Sequence, residues 1–556
     1  MQVRVIILLL ASIVVILLGQ VDRELLPPDD LREAEVAREM YKSGDYVIPH
    51  LAGLPFVEKP PGFPALVAAA YKIAGAPSAT AAHFTAAAFA LASLLAVFLL
   101  GWRILGIENG ALAAAILAIS QRFCRTSHEV LLDNALTAAI AFTMLFTWIA
   151  LEEDIPRRKH YAYSAAGFSL GVSFLFKGLI GLTIFGSGFL LYILACKRYI
   201  EFRHIVHPLP VIAFLLPVLS WTVPFLVYGS PDLIREFFIT NHLGRFYGSL
   251  GHYRPGYFYF KDIWQEFAPG SILLPFAIWL VWKTRRKWEN RAGIFFLCLF
   301  VGPLMVLSAS TTKQMVYFLP VHTVLAIFVA WSLHVASISN RHDMLMLRVL
   351  TWVLAAMALI FVGSIVVKTN ILGGVTTIIA AALIIFLLLA TTCLLSIHHD
   401  NLRWASVSIV ALFTLGWSLW FTGPLAHADI VKNSIRQPMM EALNLVGNRE
   451  ILLYLPNDDL RGGLSFYRDR TAQEIRSPDM LVAELGKNPD KYVALTYSCN
   501  EKTIPPELQL VTKDMGIPVN IEACFKLDDR YLLLITTRHE GIRRLSGIDS
   551  MRRERS

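Results

Sequence analysis

The sequence predicts an all-α polytopic membrane domain of about 13 transmembrane helices with juxtamembrane helices at its outer face, followed by a small C-terminal α/β or α+β domain. Of the 556 residues, 55% are apolar and only 17% are charged. Apolar runs close to 20 residues, enough to cross a hydrocarbon core of roughly 30 Å, recur up to residue 423. After residue 425 polar segments alternate with short apolar runs. We therefore expect a membrane domain over 1–424 and an extracytoplasmic domain over 425–556.

Basic loops decide which apolar stretches cross the membrane. The stretches lie near 5–20, 61–76, 80–102, 110–121, 129–151, 161–177, 181–196, 208–228, 268–284, 292–309, 315–337, 346–367, 374–397 and 403–423. The first has no small-x-small cleavage site, which favours a retained span. Short basic loops, typical of the cytoplasmic side, occur at 157–159, 197–198, 283–291 and 341–348. All four face the cytoplasm, with a cytoplasmic N-terminus, if 61–76 is a helix on the outer surface.

This topology places the 21–79 loop, the 229–267 loop and the C-terminal tail outside. The tail contains strand-like runs at 451–455, 492–496 and 531–535. Cys499 and Cys524 both fall in this compartment, where disulfides persist, so we expect them to pair. The net charge of +8 gives no argument for nucleic acid, because the excess basic residues lie in loops between spans.

The first outer loop concentrates charged side chains directly after an apolar span. Asp30 with Glu33 three residues later fits a capping box, which would leave the Asp29 carboxylate outside the helix as a candidate general base. Further along, Glu58 and Lys59 precede two prolines that fix the backbone. This pattern suits either a turn with a surface ion pair or a lysine held rigidly for a phosphate.

Three more constellations fall on the same outer face. Asp133 lies near the outer end of a span whose rim also carries Arg122, Arg125 and His128; a satisfied buried polar group is the alternative to a site residue. His242 and Arg245 alternate with aromatics, which also suits an interfacial helix. Lys313 and Tyr317 follow another span, where snorkelling and belt residues are common. Cations and carboxylates gathered at a lipid surface suit a phosphate-bearing lipid substrate.

At these residues the sequence resembles the C-type, lipid-donor glycosyltransferases, and within them the undecaprenyl-phosphate aminoarabinose transferases that modify lipid A. The family's Asp-acid-x-Arg-Tyr-Ala-Glu helix start is matched at Asp29, Arg32, Ala34 and Glu35, and its Glu-Lys-Pro-Pro element at 58–61. The His-x-x-Arg-Phe and Lys-x-x-x-Tyr-x-x-Pro elements are matched at 242–246 and 313–320. The sequence departs from the pattern at Glu33, where Tyr is usual, and at Gly62, where Leu is common.

The resemblance implies an enzyme of the bacterial inner membrane with its active site and C-terminal domain in the periplasm. It would transfer 4-amino-4-deoxy-L-arabinose from undecaprenyl phosphate to a lipid A phosphate, by inverting direct displacement. Its partners would be the polyprenyl-phosphate donor, lipid A or another envelope acceptor, and membrane lipids, with the enzyme a monomer. A protein O-mannosyltransferase, or another envelope-glycan transferase, is the first alternative. A lipid or sugar transporter is the second, although transporters place ionisable groups nearer the midplane and often contain repeats.

The site residues follow from the motifs. Asp29, Arg32, Lys59 and Asp133 are expected to be catalytic, with the cations stabilising the leaving phosphate and Asp29 acting as base or orienter. The expected substrate-binding residues are Glu58, His242, Arg245, Lys313 and Tyr317. No cofactor is required by this chemistry. Glu58 and His242 would be the protein ligands if a divalent metal takes part, although two ligands alone do not complete a site.

Overall fold

The structure, a computed structural model, describes residues 2–244, 253–284, 291–338, 341–371, 376–399, 401–469, 471–498, 504–527, 530–537 and 543–544. The chain folds into two compact units. The membrane unit comprises Met1–Asp22, Val57–Phe63 and His83–Ala426. The sheet unit comprises Arg23–Phe56, Pro64–Ala82 and His427–Ser556.

Helices dominate both units. In chain order the first eight are α1 Gln2–Leu17, α2 Asp29–Ser43, α3 Gly62–Ala74, α4 Ala79–Leu105, α5 Ile107–Ile119, α6 Gln121–Thr126, α7 Leu132–Glu152 and α8 Pro156–Lys177. The next eight are α9 Ile180–Ala195, α10 Glu201–Ile205, α11 Pro208–Tyr228, α12 Pro231–Arg235, α13 Phe258–Glu266, α14 Leu274–Thr284, α15 Arg291–Ala309 and α16 Leu319–Ser337. The last eight are α17 Arg341–Ile371, α18 Thr376–His398, α19 Leu402–Thr422, α20 Pro424–Asn433, α21 Arg436–Val446, α22 Asp458–Arg468, α23 Pro478–Lys487 and α24 Pro506–Met515. A π-helix covers Glu236–Gly244, and 3₁₀ helices cover Gly270–Leu273 and Met315–Phe318.

The predicted all-α membrane domain is confirmed, because every apolar stretch expected to span coincides with a helix. Among the described residues, seven helices are long and apolar enough to cross a membrane. The pair Phe258–Glu266 and Gly270–Thr284, bent by 115°, raises the number to eight if it forms one span. Four further apolar helices of the described chain, α1, α3, α5 and α9, have only 13–16 residues. A count of thirteen spans therefore stays a prediction, since a 13-residue helix such as α5 rises only about 20 Å.

Glycines allow the membrane helices to approach closely. A Cβ added at Gly188 of α9 would lie 2.6 Å from the Cα of Leu299 in α15. A Cβ added at Gly302 of α15 would in turn lie 2.6 Å from the backbone of Gly188. Such small residues let helix backbones pack where lipid provides no hydrophobic drive to association. The close packing of α9 on α15 therefore depends on the small size of Gly188 and Gly302.

The sheet unit contains the predicted mixed α and β structure. Its strands are β1 His50–Leu51, β2 Leu54–Pro55, β3 Glu450–Tyr454, β4 Gln473–Ile475, β5 Tyr492–Ser498, β6 Asn520–Lys526, β7 Tyr531–Thr536 and β8 Arg543–Arg544. Strands β1 and β2 form a hairpin, and the other six form one sheet in the order β4-β3-β5-β7-β6-β8. β3 pairs in parallel with β4 and β5, whereas β7 pairs antiparallel with β5 and β6. The three strand-like runs of the tail are thus confirmed as β3, β5 and β7.

The boundary between the units differs from the predicted division at residue 424. The sequence assigns residues 23–56 and 64–82 to the membrane domain, but in the structure they belong to the unit that contains the C-terminal sheet. The reason is visible at α2, which packs against α22: a Cβ at Gly462 would lie 3.2 Å from the carbonyl oxygen of Leu31. Cys524 lies on β6, whereas Cys499 is outside the described residues, so their disulfide stays a prediction.

Candidate active site

A buried ion pair in the membrane unit joins the ends of two adjacent helices. The Nζ of Lys177 donates to Asp133 at 2.5 Å, and the two side chains are 8% and 4% exposed. Asp133 lies in the first turn of α7 and Lys177 is the last residue of α8, which packs alongside α7. Each charge is stabilised by the helix end that carries it, since a helix N-terminus favours anions and a C-terminus favours cations. The predicted Asp133 is therefore paired with a lysine that none of the sequence motifs includes.

Tyr317 belongs to the same cluster. The Nζ of Lys177 lies 4.6 Å from the centroid of the Tyr317 ring, a cation–π contact. Lys313, four residues earlier, is buried and donates to the carbonyl oxygen of Arg254 at 3.0 Å and to that of Ser310. Burial lowers the pKa of Lys313, because the charged ammonium is costly to desolvate. Lys313 therefore holds two loop carbonyls, and because a lysine ammonium has three donors, it can bind a phosphate oxygen without releasing either carbonyl.

The loop with Glu58 and Lys59 lies against the end of α8. The Nζ of Lys59 is 3.8 Å from the Glu58 carboxylate, a wide ion pair. The carbonyl of Val57 accepts a hydrogen bond from Asn241 Nδ2 at 3.3 Å. A Cβ at Gly62 would lie only 2.5 Å from the carbonyl oxygen of Leu175, two residues before Lys177. Glycine at this position, where the resembled family often has Leu, is explained by this close approach.

The 229–267 loop contains α12, a π-helix over Glu236–Gly244 and α13. His242 lies in the π-helix, but its side chain and the whole of Arg245 fall outside the described part of the chain. Over the residues that the structure describes, no group of three or more His, Cys, Asp or Glu could hold a metal ion. The roles of His242 and Arg245 in substrate binding, and the metal ligation by Glu58 and His242, stay predictions.

Two of the polar rim residues near Asp133 have structural partners. Arg122 donates to both carboxylate oxygens of Glu266, at 2.6 Å and 2.9 Å. The His128 ring is hydrogen-bonded to the carbonyl of Leu18 at 2.9 Å and stacks on Phe421 with 3.6 Å between ring centroids. These contacts link helices of the membrane unit. Arg122 and His128 thus have structural roles in the membrane unit.

The predicted capping box at the start of α2 is wrong. The first helical hydrogen bond runs from Arg32 N to the carbonyl of Pro28, so Pro28 is the N-cap and Asp29 is already helical. The Asp30 carboxylate instead accepts from the backbone N–H of Leu26 at 3.1 Å. The expectation that Asp29 lies outside the helix with a free carboxylate is also wrong, because it accepts a hydrogen bond from Arg32.

Arg32 is surrounded by carboxylates within the sheet unit. Besides Asp29, its guanidinium lies 3.7 Å from Glu33 and 3.6 Å from Asp458 of α22. It also lies 5.9 Å from the centroid of the Phe56 ring. Burial alone would lower the pKa of Arg32, but Asp29, Glu33 and Asp458 together raise it, so this side chain is a permanent cation. Glu33, the other departure from the family pattern, is thus part of the acidic surroundings of Arg32.

A second ion cluster fixes the rest of α2 within the sheet unit. Arg38 donates to both oxygens of Glu35, at 2.6 Å and 2.7 Å, and to Asp469 at 2.6 Å. Lys42 also donates to Asp469. Glu35, one of the matched motif residues, is fully buried in this pair. Glu35 thereby holds Arg38, and Arg38 and Lys42 tie α2 to Asp469 in the C-terminal part of the chain.

The expected site residues therefore divide between the units. The membrane unit contains Glu58, Lys59, Asp133, Lys313 and Tyr317, and the sheet unit contains Asp29 and Arg32.

Two residues of these clusters, Lys177 and Asp458, were not predicted from the sequence. Lys177 had a detectable signal, because it is a single basic residue at the end of a predicted span that is opposite the basic loop at 157–159. Asp458 had no such signal in the sequence, because its pairing with Arg32 depends on a contact between segments that are distant in sequence.

A crystal structure shares this fold. The structure of ArnT from Cupriavidus metallidurans bound to undecaprenyl phosphate superposes with a TM-score of 0.72 at 18% identity, covering 97% of this chain and 98% of that one. Residues 5–234 match the family model described as dolichyl-phosphate-mannose-protein mannosyltransferase. The resemblance to the C-type glycosyltransferases is thus confirmed at the level of fold, and the protein is a multi-pass membrane protein.

Sequence comparison points to particular relatives. An undecaprenyl phosphate-α-4-amino-4-deoxy-L-arabinose arabinosyl transferase of Edwardsiella ictaluri is 28% identical over 317 residues, and one of Pseudomonas aeruginosa (strain LESB58) is 30% identical over 309 residues. Each alignment covers 55% of this chain and 55% of the relative. The chain thus spans about half the length of the curated relatives it matches. The predicted similarity to aminoarabinose transferases is confirmed.

Proposed function

We propose that this protein is an integral membrane glycosyltransferase that moves 4-amino-4-deoxy-L-arabinose from undecaprenyl phosphate to a lipid A phosphate. The observation that carries the proposal is the sequence similarity to arabinosyl transferases over 55% of the chain. The fold, shared over 97% of the chain with a structure that holds undecaprenyl phosphate, supports a lipid-phosphate donor. The reaction takes place at the periplasmic face of the inner membrane, because the basic loops at 157–159 and 283–291 favour a cytoplasmic N-terminus.

Direct displacement at the anomeric carbon releases a polyprenyl phosphate. A phosphate leaving group needs its negative charge stabilised rather than a proton supplied, so fixed cations are the main requirement. Lys59 is proposed for this role, held next to two prolines and by the contact of Gly62 with Leu175. Lys177, paired with Asp133 and stacked on Tyr317, is added to it as a second cation of the membrane unit. Lys313 and Arg245 complete the proposed donor site.

Asp29 and Arg32 are proposed to act on the acceptor side. Asp29 is 44% exposed and its carboxylate is oriented by Arg32. If the acceptor were a hydroxyl, Asp29 would remove its proton as general base. An ionised lipid A phosphate needs little proton abstraction, so with that acceptor Asp29 and Arg32 serve mainly for positioning. Glu58 and His242 remain the proposed ligands of a divalent metal, should one take part.

The test is a reconstitution with defined substrates. Purified protein in lipid nanodiscs would be incubated with undecaprenyl phosphate carrying the aminoarabinose, and separately with polyprenyl-phosphate hexoses, each together with lipid A. Mass spectrometry is expected to show lipid A heavier by one aminoarabinose residue only with the first donor. Transfer of a hexose instead would overturn the choice of sugar. Absence of transfer from every donor, by protein that retains its folded state, would overturn the proposed function.

A second candidate function is transfer of mannose to protein. The family model matched by residues 5–234 carries that activity in its description, and this supports a polypeptide hydroxyl as the alternative acceptor. The two candidates share the lipid-phosphate donor class and differ in the acceptor. Adding a serine- and threonine-rich peptide with a polyprenyl-phosphate mannose to the same assay distinguishes them. Glycosylated peptide with unmodified lipid A would favour this second candidate.

A further inference from the structure

A cavity of about 450 Å³ lies inside the membrane unit, at the end of the helices opposite Lys313 and Tyr317. α16 begins at Leu319, directly after these residues, and continues for 19 residues, or about 28 Å. Its last turn lines the cavity with His334 and Ser337. The cavity is therefore separate from the candidate active site. Under the topology given by the basic loops, it faces the cytoplasmic leaflet.

The walls of the cavity are apolar and follow one face of α5. Leu112, Ile116 and Ile119 line it at helical spacing, and Glu108 stands at the mouth. From Glu108 to Ile119 this face extends about 16 Å. Leucine and valine side chains of α16, α17 and α19 complete the wall. A slot of this length and lining fits a hydrocarbon chain.

The mouth of the cavity is charged and has an excess of cations. The guanidinium of Arg4 pairs with Glu108 at 2.8 Å, and that of Arg403 lies 3.7 Å from the same carboxylate. Two guanidinium groups thus face one carboxylate, and the Arg403 side chain is 72% exposed. Asn109 and His334 add a polar pair at 3.0 Å. A ligand head group with a single negative charge would balance this mouth.

The mouth also has the composition of a membrane interface. Trp404 follows Arg403 and is 37% exposed, and the Arg4 guanidinium lies 6.0 Å from the centroid of its ring. Partly exposed tryptophans concentrate at the depth of lipid head groups. Basic pockets between transmembrane helices on the cytoplasmic side are known to hold lipid head groups. The ligand is therefore expected to enter from the bilayer.

From these contacts we propose that the cavity binds an anionic membrane phospholipid, with one acyl chain along α5 and the phosphate diester at Arg403 and Arg4. A neutral zwitterionic lipid carries the same chain but an additional ammonium group, which the two guanidiniums disfavour. The site would give the enzyme a dependence on the lipid composition of the leaflet opposite its proposed chemistry. The proposal does not rest on the proposed sugar transfer.

Native mass spectrometry of the full-length protein in mild detergent tests the proposal. The probes are phosphatidylglycerol and phosphatidylethanolamine with identical acyl chains. We expect the wild-type protein to retain phosphatidylglycerol at lower lipid concentration. Arg403→Ala, at an exposed position where truncation opens no internal cavity, should weaken binding of this lipid about fivefold, the effect of one basic residue near a head group. Arg158→Ala, an exposed cation at the start of α8 that does not line the cavity, is the matched control and should leave binding unchanged.

A second variant tests the chain-binding part of the site. Leu112→Trp places an indole in the slot and should reduce retention of both lipids, while thermal unfolding in detergent checks that the protein remains folded. Equal retention of the two lipids by the wild-type protein would overturn the proposal. Unchanged phosphatidylglycerol binding in Arg403→Ala would do so as well, even if Leu112→Trp failed to fold. Because no sugar transfer is measured, neither result bears on the proposed function.

Discussion

The two units hold their charges in opposite ways. In the membrane unit Lys177 and Asp133 form a buried ion pair with side chains 8% and 4% exposed. In the sheet unit Arg32 has three carboxylate neighbours, of which Asp29 is 44% and Asp458 38% exposed. Removing one member of a buried pair leaves a charge that water hardly reaches, whereas a cation with several partly exposed carboxylate neighbours keeps other carboxylates and is reached by water. The first arrangement therefore sets the structure firmly, and the second can exchange partners with a substrate.

The largest expected effect is on the buried pair. Asp133→Ala leaves the Lys177 ammonium without its carboxylate in a site that water hardly reaches. Breaking such a pair from one side costs about 3–5 kcal/mol. We expect the free energy of unfolding, measured by denaturant titration in detergent, to fall by this amount.

Replacement of both partners separates loss of charge from loss of packing. Asp133→Leu combined with Lys177→Met removes both charges and keeps apolar volume, and such replacements are often neutral for stability. The double variant should unfold close to the wild-type protein. If the single and double variants were equally unstable, the cost would not come from an unpaired buried charge. The contrast drawn between the buried pair of the membrane unit and the carboxylate cluster of the sheet unit would then be wrong. Transfer activity of the stable double variant then reports whether the Lys177–Asp133 pair takes part in chemistry.

The next largest effect is expected at Lys59, which carries the same positive charge as Lys177 but lies on a loop. Lys59→Ala should reduce turnover by about 10² to 10³, as for loss of one group that stabilises transition-state charge. Lys59→Arg should restore only part of the turnover, because the planar guanidinium differs in shape from the compact lysine ammonium. Lys261→Ala, an exposed lysine of α13, is the control. Turnover unchanged in Lys59→Ala would show that this loop is structural.

Much of the fold could be predicted from composition and periodicity. The helices coincide with the apolar stretches because a chain segment in lipid must satisfy its backbone within a helix. Strands β3, β5 and β7 are visible in the sequence as apolar runs between turn residues. The strand order is not, because it depends on pairings between segments that are distant in sequence.

The site could be predicted less completely than the fold. Asp133 stands out in the sequence by its position at the end of a span, and the structure gives it a partner 44 residues away. The predicted capping box at Asp30 is wrong because Pro28 provides the first helical acceptor, which moves the helix start upstream by two residues. The surroundings of Arg32 could not be foreseen, since Asp458 reaches it only through the packing of α22 on α2.

A smaller effect is expected at Asp29, which is 44% exposed and is one of three carboxylates beside Arg32. Asp29→Asn keeps the size of the side chain but removes its charge and basicity. With a phosphate acceptor we expect a loss of less than about 10², mainly in the KM for the acceptor, because little proton abstraction is needed. A loss nearer about 10⁴ with unchanged KM would instead indicate a hydroxyl acceptor. The measurement is steady-state kinetics with lipid A varied at saturating donor.

The smallest effect is expected at Asp458, the neighbour of Arg32 that comes from α22. Asp458→Asn removes one of three carboxylates from a cation that keeps Asp29 and Glu33. Because the pair is 3.6 Å wide and the carboxylate is 38% exposed, its contribution to the free energy of unfolding should be only about 0.2–1 kcal/mol, and smaller at high salt. Asp514→Asn, an exposed carboxylate on α24, is the matched control. A cost at Asp458 equal to that at Asp133 would mean that the Arg32 cluster is as rigid as the buried pair, and Arg32 could then not exchange a carboxylate for a substrate phosphate.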